Sequence, residues 1–337
     1  EFEGPAFPVA EDSAKFNMRP AVISLDDDLF LVAWEQALQV PGPARIMARW
    51  GRTQTGGWSV AFPLSRRPSG SADAVALGRT SDGQVVAVWQ ESAGLHSGAD
   101  IWAVILKRNA TEAMPFRVNE YKPGTQMAPS VAGLNNGIFV VAWHGRGSVR
   151  SSEISARLFR NDGTPLADDI ALSPDHPGRR AYYPRLLGLS EGGFVALWSQ
   201  DGAARESTLV LGKYDTSGVL EDDVVEISGS SEHDETSLLE TEGQLLVAWG
   251  SRGVGAGQGI YGRIVGISDA PQSEGDSIAS RNKRPSQGQD TGTDSASVLT
   301  PQTPPEEMGV QDEETLAEQR AGPQLGLCKK CTSDSDC

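Results

Sequence analysis

The sequence predicts an all-β chain: a five-bladed β-propeller of four-stranded antiparallel blades, closed by its N-terminal strand and followed by a disordered acidic tail. Three observations predict it. Five short apolar runs end in Trp at positions 34, 89, 143, 198 and 249, at steps of 55, 54, 55 and 51 residues. Two further strand-like runs keep the same period around each of them, and a third does so in the first four. All eight Trp lie within residues 1–267, and the text beyond holds almost no aromatic or branched apolar residue.

The runs closed by Trp are LFLVAW (29–34), QVVAVW (84–89), IFVVAW (138–143), GFVALW (193–198) and QLLVAW (244–249). They are apolar at almost every position, as suits a strand covered on both faces. A shorter run precedes each: AVISL (21–25), AVAL (74–77), SVAGL (130–134), RLLGL (185–189) and SLLET (237–241). The turns between them (DDD, TSDG, NNG, SEGG and EG) mostly carry the Gly and Asn that hairpins require. A third, partly alternating run follows: RIMARW (45–50), IWAVIL (101–106), EISARLF (153–159), TLVLGKY (208–214) and GIYGRIV (259–265). A fourth alternates more cleanly, as a half-exposed outer strand should: AFPLS (61–65), FRVN (116–119), IALS (170–173) and VEIS (225–228). A unit of ~54 residues with four strands cannot bury both of its faces; radial stacking of such units can. A string of β-sandwiches would need ~100 residues per unit.

The last unit lacks a fourth strand, and the chain opens with GPAFPVA (4–10). From Phe7 to Phe62, Phe116, Ile170 and Val225 the steps are 55, 54, 54 and 55, so residues 6–10 read as an outer strand without a blade. Pairing them with the last unit, Phe7 and Val9 beside Ile260 and Ile264, would close the ring and remove two open edges. The domains expected are the propeller over 1–267, a disordered Ser/Asp/Gln/Pro-rich linker over 268–327, and the start of a Cys-rich segment over 328–337. The linker cannot bury enough surface to offset its ordering entropy.

A formal charge of −16 argues against a partner read through phosphates, so no nucleic acid is expected. No apolar run approaches the ~18–20 residues of a membrane span, so no membrane insertion is expected.

The stretch from Phe116 to Leu172 resembles a repeat of large secreted and surface proteins of bacteria. Those units run Val-Asn, a Gln/Pro loop, Leu, Gly-Gly-Phe-Val-Val-x-Trp, Ile-x-Ala-Arg-Phe and a Gly turn. Here these are Val118-Asn119, Gln126, Pro129, Leu134, Gly137 to Trp143, Ile154 to Phe159 and Gly163. The first and last units depart from the pattern, with DDD for the Gly turn and Thr241 where Leu is usual. The resemblance implies an extracellular propeller module and no specific activity. The final CKKCTSDSDC is similar to the start of small Cys-rich modules of secreted proteins. Cys328, Cys331 and Cys337 read either as the opening of a disulfide module continuing beyond Cys337, or as part of a zinc site lacking a fourth ligand.

In this architecture the loops from fourth to first strand share one face with those from second to third strand. All four histidines fall there (His96, His144, His176 and His233), with Arg66, Arg67, Arg146, Arg179, Arg180 and Arg252, and with Tyr121, Tyr182 and Tyr183. Arginine forks bind carboxylate or sulfate, and tyrosine rings pack on sugar or peptide. The alternative is that such residues simply prefer long exposed loops. The turns of the opposite face carry acid: Asp26–Asp28, Asp168, Asp169 and Glu221–Asp223. No cofactor is called for, although Asp26–Asp28 offer oxygen ligands to calcium; an acidic hairpin turn is the other reading.

Propeller glycosidases need facing carboxylates on the innermost strands. Of those strands only Asp73 and Glu240 are acidic, and they lie at opposite ends. No nucleophile elbow, phosphate loop or His-Glu-x-x-His pattern occurs. The sequence therefore favours a non-catalytic extracellular recognition or adhesion module, binding a glycan or an extracellular protein through the Arg/His/Tyr face. A carbohydrate-active hydrolase with an atypical site, or a structural component of a surface assembly, are the alternatives.

Overall fold

The computed structural model describes residues 6–11, 15–65, 70–94, 98–145, 153–173, 179–201, 207–228, 232–252 and 258–267. The linker and Cys-rich segment expected beyond 267 lie outside them. Nineteen strands form five antiparallel sheets. The first sheet is β1 (Phe16–Ser24), β2 (Leu29–Ala37), β3 (Ala44–Arg52) and β4 (Phe62–Pro63). The second is β5 (Ser71–Arg79), β6 (Val85–Ser92), β7 (Ala99–Leu106) and β8 (Phe116–Arg117). The third is β9 (Gln126–Gly133), β10 (Ile138–Gly145), β11 (Glu153–Arg160) and β12 (Ile170–Ala171). The fourth is β13 (Ala181–Gly188), β14 (Phe194–Asp201), β15 (Ser207–Tyr214) and β16 (Val225–Glu226). The fifth has three strands: β17 (Glu232–Thr241), β18 (Gln244–Arg252) and β19 (Gln258–Gly266). Sequential meanders of this kind, repeated five times, are the blades of a β-propeller. Among the described residues no helix is long and apolar enough to cross a membrane.

The repeating runs become cores between sheets. Leu29, Leu31 and Ala33 of β2 pack on Val85, Ala87 and Trp89 of β6. The other face of β6, Val86 and Val88, meets Phe139, Val141 and Trp143 of β10. Val140 and Ala142 then meet Phe194, Ala196 and Trp198 of β14, and Val195 and Leu197 meet Leu245, Val247 and Trp249 of β18. β6, β10 and β14 thus each serve two cores, which is why both of their faces are apolar.

The outer strands are shorter than their sequence pattern. Only two residues of each pair in register, and the next one closes with a single bond: Leu64, Val118, Leu172 and Ile227 each donate N–H to the carbonyl of Ile46, Ile101, Ile154 and Leu209 in turn, at 2.7–2.8 Å. The polar residue that follows caps the same site. Ser65, Asn119, Ser173 and Ser228 accept from the N–H of those four residues.

The N-terminal segment departs from expectation in one respect. Its Val9 carbonyl accepts from Arg49 Nη1 of β3 at 2.8 Å, so it lies against the first sheet where the repeat places it. The expected ladder with the last sheet is not formed. Residues 6–11 make no strand, β19 is an edge, and Ile260 and Ile264 are exposed. With too few backbone groups shared, packing of Phe7 on Trp58 (5.6 Å between centroids) holds the segment instead.

Candidate active site

The inner strands enter from the same end of each sheet, and each carries a bulge there. The ladder slips between Met18 and Ala21, Asp73 and Ala76, Tyr182 and Arg185, and Asp234 and Thr236; β9 slips opposite Ala142–His144. Arg19, Ala74, Ala128 and Tyr183 sit in these bulges with φ of 47°, 55°, 49° and 54°. Non-glycine residues resist that conformation at a cost on the order of 1–3 kcal/mol, so something must hold it.

At three of these bulges the residue after a core Trp supplies the hold, reaching across to the next sheet. Glu35 Oε1 accepts from Ala74 N at 2.7 Å, Gln90 Oε1 from Ala128 N at 2.8 Å, and His144 Nδ1 from Tyr183 N at 3.3 Å. A bulge turns its N–H off the ladder, and an unpaired buried donor costs about 1–3 kcal/mol, so an acceptor at that column is required. In the fifth sheet the column holds Gly250, which has none.

Two of these acceptors are titratable. Glu35 is buried, and its second oxygen takes Arg19 Nη1 at 2.8 Å, while the Arg19 side chain is 71% exposed. Asp73, one residue before its bulge, faces this pair. Burial, then the Glu35 charge, raise its pKa; a hydrogen bond from Gln90 and the Arg19 charge oppose them only in part. The result is a half-buried carboxyl that keeps its proton more readily than a free one, beside a carboxylate that is ion-paired.

His144 is buried, with its ring edge-on to Tyr182 and Tyr183 at 5.7 and 5.0 Å. Burial pushes the imidazole down to about 4. Because Nδ1 accepts from Tyr183, the neutral ring carries its proton on Nε2. Tyr182 Oη donates to Asp201 Oδ2 at 3.3 Å, and the Tyr182 side chain, then the Asp201 charge, favour the cationic form of Arg180. The exposed Tyr183 ring covers this group. Stability should follow the His144 depression. The unfolded chain takes up a proton near the ordinary imidazole value of 6.5 and the folded chain only near 4, so stability is lost as pH falls through that window. A loss on the order of 3 kcal/mol is expected between pH 7 and 4, and denaturant titrations of wild type and His144→Gln at both pH values should show it in the wild type alone.

Of the residues singled out from sequence, the structure brings together His144, Arg180, Tyr182 and Tyr183. Arg179 precedes β13 beside them. Tyr121 stands apart, at the outer strands, where its N–H and that of Glu120 donate to Asp169 at 2.9 Å. Asp169 is therefore no free acid of the opposite face. His233 and Arg252 lie in β17 and β18 near that end of the fifth sheet. Arg66, Arg67, His96, Arg146 and His176 lie outside the described residues. Glu240 accepts from Ser190 N at 2.8 Å and ties the turn after β13, which removes it from the site. Asp26 and Asp28 are turn acceptors: Asp26 takes Leu29 N at 2.7 Å and pairs with Arg108, and Asp28 pairs with Arg52 at 2.6 Å. Among the described residues no three His, Cys, Asp or Glu side chains converge as a metal site. Sequence reasoning missed Glu35, because acids were sought on the innermost strands alone. The signal was the column after Trp, which reads Glu35, Gln90 and His144.

No family model matches the chain, and no curated protein matches it. Solved structures do. A protein of unknown function from Dyadobacter fermentans aligns over 76% of this chain and 80% of its own, at 11% identity and a TM-score of 0.56. The polysaccharide lyase Uly1 aligns over 77% of this chain at 13% identity and a TM-score of 0.50. The aligned part spans 60% of that enzyme's length. These likenesses concern the fold. The expectation of a non-catalytic adhesion module is corrected: a solved structure of this fold is a polysaccharide lyase, and Asp73, which sequence reasoning left without an acidic neighbour, has the Glu35 carboxylate beside it.

Proposed function

We propose that this chain is a carbohydrate-active enzyme that hydrolyses glycosidic bonds. The observation that carries the reading is Asp73: a half-buried carboxyl at the entrance of an inner strand, whose proton affinity is raised by burial and by the charge of Glu35. Such a group is suited to protonate a leaving oxygen. Glu35 is a positioning residue. Both of its oxygens are engaged, and it holds the Asp73 bulge in place. Hydrolysis needs a second carboxyl as well, and the candidate we propose is Asp201, which accepts from Tyr182. Exposed Tyr183 offers a ring on which a sugar packs. The fold shared with a polysaccharide lyase supports carbohydrate as the substrate class. An extracellular setting, where polysaccharides are met, goes with this reading.

A panel of neutral and acidic polysaccharides tests it, scored for new reducing ends. Release of saturated products, strongly reduced in Asp73→Asn, is the expected result. Products carrying a new carbon–carbon double bond would mean elimination instead of hydrolysis. Turnover undiminished in Asp73→Asn, or none on any polysaccharide, would remove the assignment.

A further inference from the structure

Each of the four cores lies between consecutive sheets, and the two outward faces at the ends of the series are bare. Strand register puts Leu239, Leu246, Ile260 and Ile264 on one face of the fifth sheet. All four are exposed, Ile260 to 84% and Ile264 to 65%. The residues at the place of Ile260 in the other sheets are Ile46, Ile101, Ile154 and Leu209, and all are fully buried. In those sheets an outer strand closes the edge; β19 has none.

At the other end, residues 6–11 already behave as an outer strand whose own sheet is missing. Arg49 Nη1 donates to Val9 O at 2.8 Å, as Arg157 Nη1 of the third sheet donates to Val118 O, after the second sheet's outer strand, at 3.1 Å. Arg49 pairs with Glu11 at 2.9 Å, as Arg157 pairs with Glu120 at 2.9 Å. The ring series Phe7, Trp58, Phe30 repeats Phe116, Phe159, Phe139. In both places the guanidinium stacks over the middle ring.

We infer that a second copy of this chain completes the contact. The edge of β19 and the apolar face of the fifth sheet in one copy receive residues 6–11 and the outer face of the first sheet of the next. The join repeats the chemistry of the internal blade interfaces, with backbone pairing along an open edge and branched apolar side chains behind it. Among the described residues the chain's own segment lies on β3 and leaves Ile260 and Ile264 uncovered; the strand assigned to cover them is that of another molecule. The interface is head to tail, using different surfaces on the two copies.

Light scattering on the full chain across a concentration series should give at least twice the single-chain mass. Ile260→Lys/Ile264→Lys and, separately, Phe7→Lys should each be monomeric. Mixing them should restore a dimer and nothing larger, since each keeps one intact half. As a check independent of those variants, a photo-crosslinking residue in place of Ile264 in mixed isotope-labelled chains should link to residues 6–11 of the other chain. A wild type that stays monomeric at every concentration, or links formed only within one chain, would overturn the inference.

Discussion

Asparagine in place of Asp73 is expected to lower kcat by about 10²–10⁴-fold, the usual contribution of a positioned proton donor, while leaving the fold as stable or more so. The two effects separate because of the sign of the pKa shift. The folded chain holds the Asp73 proton at pH values where the unfolded chain, near the ordinary carboxyl value of 3.8, has released it. The charged form is therefore a burden on the folded state above that pH, and the neutral amide removes it. The same sign sets the activity profile. Turnover that needs a protonated Asp73 falls as pH rises through its raised pKa, and that alkaline limb should be missing from the residual activity of the variant. Rate measurements across pH, with denaturant midpoints on the same samples, read both. Lost activity accompanied by a lower midpoint would instead place Asp73 among the residues that hold the bulge.

Trp89→Ala should cost about 3–5 kcal/mol, the range for removing a buried large aromatic. Trp89 is fully buried between the first and second sheets, and its indole Nε1 donates to Glu91 Oε2 at 2.8 Å. Truncation opens a cavity and takes away a donor from a buried carboxylate, so two penalties add. The same change at Trp249 should cost less, about 2–3 kcal/mol, because the fifth sheet is open on one side and can collapse into the space. The repeat makes the two positions equivalent; the difference between them reports the missing neighbour. Urea titrations of both variants measure it.

The period of the Trp column fixed the number of sheets and the order of strands, since no other packing lets an apolar run serve two faces in each unit. The role of Phe7 and Val9 was half legible. Their spacing to Phe116 and Val118 identified an outer strand, and the Arg49 contact agrees, but spacing cannot say which edge accepts it. The bulges were hidden because their backbone conformation falls on Arg19, Ala74, Ala128 and Tyr183, where no glycine or asparagine marks it. Glu35 was hidden for a related reason. It ends an apolar run, and its partners, Arg19 on its own sheet and Ala74 on the next, come together only through the bulges.

That arrangement separates anchorage from display. The neighbouring sheet grips only the amide at three of the kinks, so the group mounted there can change without loosening the grip: a methyl group at two stations, a phenol at the third. Such a socket lets the strand entrances be refitted one position at a time, with the scaffold unchanged beneath them.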